Sequence, residues 1–308
     1  MTSMKGGALP PSWPARIRAL SRGELTPLTP RRAATVLLLR DDPEGLAVHM
    51  LRRHAAMAFA AGAYAYPGGG VDPRDERPVG WAGPSLDTWG AALGVPPGLA
   101  QAVVCAAVRE TFEESGVLLA GPDAGTVVAD ITGEDWEADR SALVRHELAF
   151  ADFLADRALV LRSDLLAPWA RWITPEFEER RYDTWFFLAV LPVGQRTRDV
   201  SGEADRTAWL RPAEALAGYD RGEMVMLPPT VTTLRALLPY DTAAEALAAA
   251  PGRDLSPVMA RAVLGEDGGV VLSWPGHDEF TQLLPGPGPG PVPAPADAPA
   301  DAPRGETR

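Results

Sequence analysis

Arg109-Glu110-Thr111-Phe112-Glu113-Glu114-Ser115-Gly116-Val117 sets three carboxylates at positions i, i+3 and i+4. At about 100° per residue, Glu110, Glu113 and Glu114 share one arc of a helix. Like charges at this spacing repel and weaken an isolated helix. A chain that keeps three of them together has a use for them, and the simplest is a hard divalent cation. Mg²⁺ takes oxygen ligands, keeps several waters, and is commonly shared between protein carboxylates and substrate phosphates. A solvated acidic face is the plainer reading of such a run. With Val104 at zero on a helical wheel, Val108, Thr111 and Ser115 fall within about 40° of it. The helix, expected over about 99–115, should therefore bury that face and present the carboxylates on the other. Gly116 is its expected C-terminal stop.

Upstream lies Tyr66-Pro67-Gly68-Gly69-Gly70-Val71-Asp72, read as a tight, flexible loop. Glycines let backbone approach a ligand closely, although three glycines alone are ordinarily a surface turn. Taken together, the two segments resemble the signature of the Nudix hydrolases. There, a glycine, five intervening residues and an acid are followed, after a spacer, by Arg-Glu-aliphatic-x-Glu-Glu-x-Gly-aliphatic. Arg109, Glu110, Glu113, Glu114, Gly116 and Val117 fit the second half, with Thr111 in place of the aliphatic residue. Gly69 fits the opening glycine, and Asp75 stands where the family has Glu. The usual spacer is seven residues, but 33 separate Asp75 from Arg109. An insertion near 77–101, rich in Pro and Gly, thus splits the motif. The chain resembles in this the insertion-bearing Nudix branch that includes peroxisomal coenzyme A diphosphatases. Arg53, Gly62 and Tyr66-Pro67-Gly68-Gly69 resemble the coenzyme A-active pattern, with Ala58 where many members carry a second Arg. Arg181-Tyr182-Asp183-Thr184-Trp185 is a third likeness, a basic-aromatic lead-in to a central strand.

The resemblance implies an α/β fold, an α/β/α sandwich with a mixed sheet. It implies a metal-dependent hydrolase that cleaves a diphosphate linkage in a nucleoside diphosphate derivative, with coenzyme A or acyl-coenzyme A the leading substrate. ADP-ribose and dinucleotides are alternatives in the same class; a nucleotide-binding module without turnover is the alternative outside it. The implied cofactor is Mg²⁺, with Mn²⁺ as its substitute. Glu113 and Glu114 are the expected metal ligands. Glu110 is a further ligand or the activator of water, and Arg109 orients the carboxylates by an ion pair. Another ligand is expected from a later loop, where Glu203 is best placed, ahead of Asp205; a solvent-exposed loop acid is the alternative. Arg53, Gly68, Gly69 and Arg181 are the candidate substrate contacts, with an ordinary surface role the alternative for both arginines. Tyr182 and Trp185 could stack on a base, but core packing is favoured for aromatics beside a strand.

Composition bounds these expectations. The chain has 308 residues, 46% of them hydrophobic, enough for a substantial core in one large or two modest domains. A net charge of −12 argues against a broad nucleic-acid surface. It is compatible with one diphosphate screened by metal and a few local arginines. The single cysteine, Cys105, excludes an intramolecular disulfide framework, and its expected role is apolar packing. The four histidines show no zinc-like spacing. No apolar stretch has the length of a membrane span, and the N-terminus has no secretory h-region. The expectation is a cytoplasmic protein acting on a small-molecule nucleotide, without nucleic acid or membrane as partner; the family allows a homodimer.

The expected organisation is an N-terminal arm over 1–30, the Nudix domain over 31–284, and a disordered Pro-rich tail over 285–308. Ala33–Arg40 and Leu46–Arg52 read as a hairpin around Asp-Asp-Pro-Glu-Gly. Residues 136–159 read as helical, packing through Leu143, Leu148, Phe150, Phe153 and Leu154. Asp183–Val193 reads as a central strand and Arg206–Leu210 as a shorter one. Pro212–Ala217, Pro229–Leu238 and Asp241–Ala250 read as helices, and Gly269–Trp274 as a late strand.

Overall fold

A computed structural model of the chain describes residues 12–54, 62–200, 202, 204–264, 270–273 and 282–284. The strands in chain order are β1 (Arg31–Asp42), β2 (Gly45–Arg53), β3 (Ala63–Ala65), β4 (Gly68–Gly70), β5 (Trp81–Ala82), β6 (Ala120–Gly121), β7 (Val160–Arg162), β8 (Ala167–Ile173), β9 (Tyr182–Val190), β10 (Ala204–Leu210), β11 (Val225–Met226) and β12 (Val258–Met259). The helices are α1 (Trp13–Ser21), α2 (Leu86–Leu93), α3 (Pro97–Ser115), α4 (Glu134–Val144), α5 (Phe150–Asp156), α6 (Pro212–Asp220), α7 (Pro228–Arg235) and α8 (Ala243–Ala249).

β1 explains the layering. Its apolar run is continuous because both faces of the sheet are covered. Ala34, Val36 and Leu38 point into a core shared with α2, α3, α4 and α5. Leu37 and Leu39 point into a second core shared with α1, α6, α7 and α8. The result is the expected α/β/α sandwich around a mixed sheet, in the order β11-β3-β2-β1-β9-β8-β12. β1 runs parallel to β9 and antiparallel to β2.

A fork in this sheet positions the site. β1 pairs with β2 only from Leu39↔Val48 to Asp42↔Gly45. Beyond that, β3 takes the edge of β2 and β4 takes the edge of β1. The glycine run is therefore a short strand rather than a loose loop, in register Ala33↔Gly70, Ala34↔Gly69 and Thr35↔Gly68. A Cβ on Gly68 would stand 2.5 Å from the Ala34 carbonyl oxygen, so no larger residue fits there without a shift.

The insertion differs from its expected outline. α3 begins at Pro97, so 97–101 belong to the helix; Pro at the first helical position has no amide to leave unbonded. The excursion also does not stand alone. β5 pairs parallel with β7 and β6 pairs antiparallel with β7, which joins the insertion to a second excursion over 122–166 in one three-stranded sheet. The N-terminal arm is only partly an arm. Trp13, Ile17 and Leu20 recur at helical spacing in α1, Ile17 is buried, and Trp13 meets Phe177 edge-on at 5.0 Å. The late strand is present as Val270–Ser273, within a separate antiparallel sheet. The 285–308 tail lies outside the described residues. Among the described residues, no single helix is long and apolar enough to cross a membrane.

Candidate active site

α3 carries the carboxylates. From Ala102 to Arg109 every residue is buried, so the helix is enclosed on all sides before it reaches the acids, rather than burying one face as the wheel predicted. Two excursions make the difference, because they cover the side away from the sheet. Thr111 and Ser115 turn their hydroxyls onto the helix itself, donating to the Ala107 and Thr111 carbonyls at 2.7 and 2.5 Å. Gly116 ends the helix with a φ of +67°, and its amide donates to the Phe112 carbonyl.

Arg109 organises the acids. Its Nε and Nη2 donate to the two oxygens of Asp75, each at 3.0 Å. Nη2 also donates to the Gly70 carbonyl at 2.9 Å. Nη1 donates to Oε1 of Glu110 at 2.8 Å and Oε1 of Glu113 at 3.2 Å. Asp75 thus meets Arg109 directly despite the long spacer. It is also held by the Asp72 amide, which closes a capping box at the short 3-10 turn Pro73–Glu76. Burial works against the guanidinium's charge, but Glu110, Asp75 and Glu113 outweigh it and hold its pKa above the ordinary value. Burial pushes the carboxyl pKa values of Glu110, Glu113 and Asp75 up, and Arg109 opposes each shift.

The glycine strand supplies the other wall. The Gly68 amide donates to Oε2 of Glu114 at 2.8 Å. A Cβ on Gly69 would stand 2.5 Å from Cδ of Glu110, so the carboxylate lies where any other residue's side chain would begin. Gly68 and Gly69 therefore touch the carboxylates themselves.

Oxygen-only donors suit a hard divalent cation. Among the described residues, no three acidic, histidine or cysteine side chains already form a metal-binding group. The set nevertheless fits such a cation by its chemistry. Three oxygen-donor side chains lie on adjacent turns, and two of them already meet at one positively charged nitrogen.

The other sequence candidates separate. Arg53 closes β2 opposite Ala204, on the β2 arm of the fork. Glu203 lies outside the described residues. Asp205 pairs with Arg52 at 2.6 Å. Arg181 is a correction. It is buried, and its guanidinium is committed to the Leu28 and Thr174 carbonyls and the Met259 sulfur, so it ties the N-terminal segment to the β8–β9 hairpin instead of facing a substrate. Trp185 is core, with its indole nitrogen donating to the Leu93 carbonyl. Cys105 is buried and its thiol pKa is pushed up by burial, consistent with a packing role.

Two contacts escaped the sequence reading. One is the Gly68 amide on Glu114, which the glycine run hinted at. The other is Arg140 of α4, buried, donating to the Glu113 carbonyl at 2.7 Å. The sequence carries no signal for it beyond an Arg three residues after Glu137, the ordinary spacing of a helix-surface pair.

The NUDT19 Nudix domain family matches residues 86–237. The acyl-coenzyme A diphosphatase NUDT19 of Xenopus laevis is 26% identical over 276 residues, 76% of this chain and 71% of that protein. Its Homo sapiens counterpart is 28% identical over 261 residues, 67% of this chain and 68% of that protein. The crystal structure of a Nudix hydrolase from Alicyclobacillus acidocaldarius is similar with a TM-score of 0.61 and 28% identity, covering 74% of this chain and 97% of that one.

Proposed function

Because this chain belongs to the Nudix hydrolases, in the coenzyme A diphosphatase branch, and is a diphosphatase on that ground, we propose that it hydrolyses the diphosphate linkage of coenzyme A or acyl-coenzyme A. The observation that carries this reading is the carboxylate assembly: Glu110 and Glu113 drawn together by Arg109, Glu114 held by the Gly68 amide, and Asp75 closing the split motif from behind.

Hydrolases of this superfamily work with a divalent metal, and Mg²⁺ or Mn²⁺ is the proposed ion here. Glu110, Glu113 and Glu114 would hold it, with Glu203 proposed as a further ligand. When bound, such an ion neutralises phosphoryl oxygens and lowers the pKa of a water. Arg109 and Asp75 keep Glu110 and Glu113 in one orientation, so little reordering is left for the reaction. Gly69 leaves room for Glu110, and Arg53 is proposed to meet the nucleotide phosphates. In the overall reaction, water adds across the P–O–P bridge. One bridging P–O bond breaks, hydroxyl joins that phosphorus, the bridging oxygen leaves with the other, and a proton is released. The products from coenzyme A are adenosine 3′,5′-bisphosphate and phosphopantetheine; an acyl-coenzyme A leaves acyl-phosphopantetheine.

The test is a hydrolysis screen with and without Mg²⁺ or Mn²⁺, over coenzyme A, acyl-coenzyme A, ADP-ribose, NADH and diadenosine polyphosphates, with products identified by mass. Metal-dependent release of adenosine 3′,5′-bisphosphate, faster than turnover of the other compounds, is expected. The Glu113→Gln/Glu114→Gln double variant should lose at least about 10³-fold in kcat, roughly 4 kcal/mol of barrier. Preference for ADP-ribose or a dinucleotide would overturn the substrate, and wild-type turnover by the double variant would overturn the site.

A further inference from the structure

Glu113 and Glu114 lie in the last turn of α3, which ends at Ser115. This is the worst-anchored part of a helix, because the final carbonyls have no partner within it and helix ends fray. It is also the negative end of the helix dipole, where carboxylates are disfavoured. A site that depends on side-chain placement to well under an ångström therefore needs something outside the helix to hold this turn.

The structure supplies it from two segments. In α4, Arg140 is buried and donates through Nη1 to the Glu113 carbonyl at 2.7 Å, while its Nε and Nη2 grip Glu137. In the β9–β10 connection, the Arg198 amide donates to the Ser115 carbonyl at 2.9 Å, and its Nη1 donates to the same Glu137 at 2.9 Å. The Arg198 guanidinium lies so close to Gly116 that a Cβ there would stand 2.7 Å from Nε. Gln195 completes the hold on the following residues, accepting from the Leu118 amide and donating to the Leu118 carbonyl, both at 2.8 Å. Two orphan carbonyls of α3 are thus capped from outside, and the clamp's two arginines against its one glutamate bring positive charge to the negative end of the dipole.

We propose that Arg140, with Glu137 and Arg198, is a positioning clamp that sets the last turn of α3 and thereby the geometry of Glu113 and Glu114. This rests on the reading of those glutamates as the metal-binding carboxylates. In this role Arg140 and Arg198 act through the helix carbonyls, and Glu137 acts by holding the two arginines. The second excursion accordingly has a catalytic purpose besides covering the core, because it carries both Glu137 and Arg140.

The experiment compares wild type with Arg140→Met and Arg140→Lys. Three quantities are read: steady-state kcat and KM on the substrate found in the screen, Mn²⁺ affinity by calorimetry, and hydrogen exchange of the amides over 112–116. Arg140→Met should lower kcat by about 10- to 100-fold with KM within about twofold. It should weaken Mn²⁺ binding by about tenfold and speed exchange over 112–116 more than in β1. Arg140→Lys, which can still reach the Glu113 carbonyl but cannot fork onto Glu137, should recover part of each loss. Wild-type kcat, Mn²⁺ affinity and local exchange in a folded Arg140→Met would overturn the clamp. If Arg140→Met does not fold, Glu137→Gln loosens both arginines without removing either, and the same three readings apply in weaker form. Wild-type protein that neither binds Mn²⁺ nor turns over any substrate would overturn the metal reading instead; the exchange measurement still decides the clamp.

Discussion

Asp75 and Arg77 stand two residues apart, and each makes a two-pronged pair with a residue far along the chain. Asp75 meets Arg109 with both oxygens at 3.0 Å, and the side chains are 1% and 6% exposed. Arg77 meets Asp152 with two contacts of 2.6 Å, and both side chains are about half exposed, 49% and 46%. The shorter contacts belong to the weaker pair. Water competes for the exposed charges and screens them. The buried pair has lost that solvation, so each partner depends on the other, and Arg109 has two more carboxylates to hold. Distance alone therefore ranks the pairs in the wrong order; burial and the number of groups that depend on the pair rank them correctly. The first pair holds the site together, while the second fastens the root of the insertion to α5.

Removing Asp75 is the strongest test of this contrast. Asp75→Ala leaves Arg109 buried without its bidentate partner and should cost about 3–5 kcal/mol in urea unfolding. Activity should fall as well, because Arg109 is then free to turn further onto Glu110 and Glu113. A loss below about 1 kcal/mol would mean that water reaches the guanidinium, and the contrast with Arg77 would collapse.

The two pairs were unequally legible in the sequence. The motif singles out both Asp75 and Arg109, even across a long spacer, although their pairing is seen only in the structure. Arg77 with Asp152 could not, since nothing in either segment points to the other. The same holds for β5 and β7, two-residue and three-residue strands whose pairing partners lie eighty positions apart. The hairpin of β1 and β2, the course of α3, β9 and α6–α8 were readable because turn residues, proline positions and apolar periodicity are local signals. The glycine strand was missed for the opposite reason. Glycine disfavours strands, but here the β1 backbone at Gly68 and the Glu110 carboxylate at Gly69 lie where a side chain would begin. Arg181 was misread as a substrate contact because a basic residue before an aromatic strand looks the same whether it faces a ligand or three acceptors of its own chain.

His49 adds a third condition to the comparison, a buried polar group with no partner. It is fully buried on β2, tilted against Trp209 at 5.2 Å, and neither ring nitrogen has a hydrogen-bond partner. Burial, and then the positive charge of Arg40, lower its pKa to about 4. The unfolded chain binds this proton from about pH 6.5 downward, while the folded chain resists until about pH 4. Stability is therefore full above pH 6.5 and falls by about 3 kcal/mol on the way to pH 4. Urea melts at pH 7.5 and pH 5 should show a smaller difference for His49→Leu than for wild type. Equal differences would place the acid sensitivity elsewhere.

Gly69→Ala separates site geometry from stability. The added methyl meets the flexible end of Glu110, which can move aside, so the fold should survive. The displaced carboxylate should cost activity by about 10²-fold, equivalent to roughly 2.7 kcal/mol of barrier. Activity within about threefold of wild type would mean that Glu110 is not needed where it lies.

Arg77→Ala is the smallest expected effect and the complement of Asp75→Ala. Both charges are solvated before the change, Asp152 stays solvated after it, and most of the attraction is screened. The guanidinium is not the only tie at this point, since the Arg77 carbonyl still accepts from Gln101 Nε2 at 2.9 Å. The insertion stays paired through β5 and β7, and Trp89 and Leu93 of α2 remain in the core. The melting temperature should stay within about 2 °C of wild type, and the hydrolysis rate should be unchanged at low and high salt. A large loss confined to kcat would reverse the ranking, because the exposed pair would then be transmitting the position of α5 through the Pro73–Glu76 turn to Asp75, and the two pairs would be one unit rather than two.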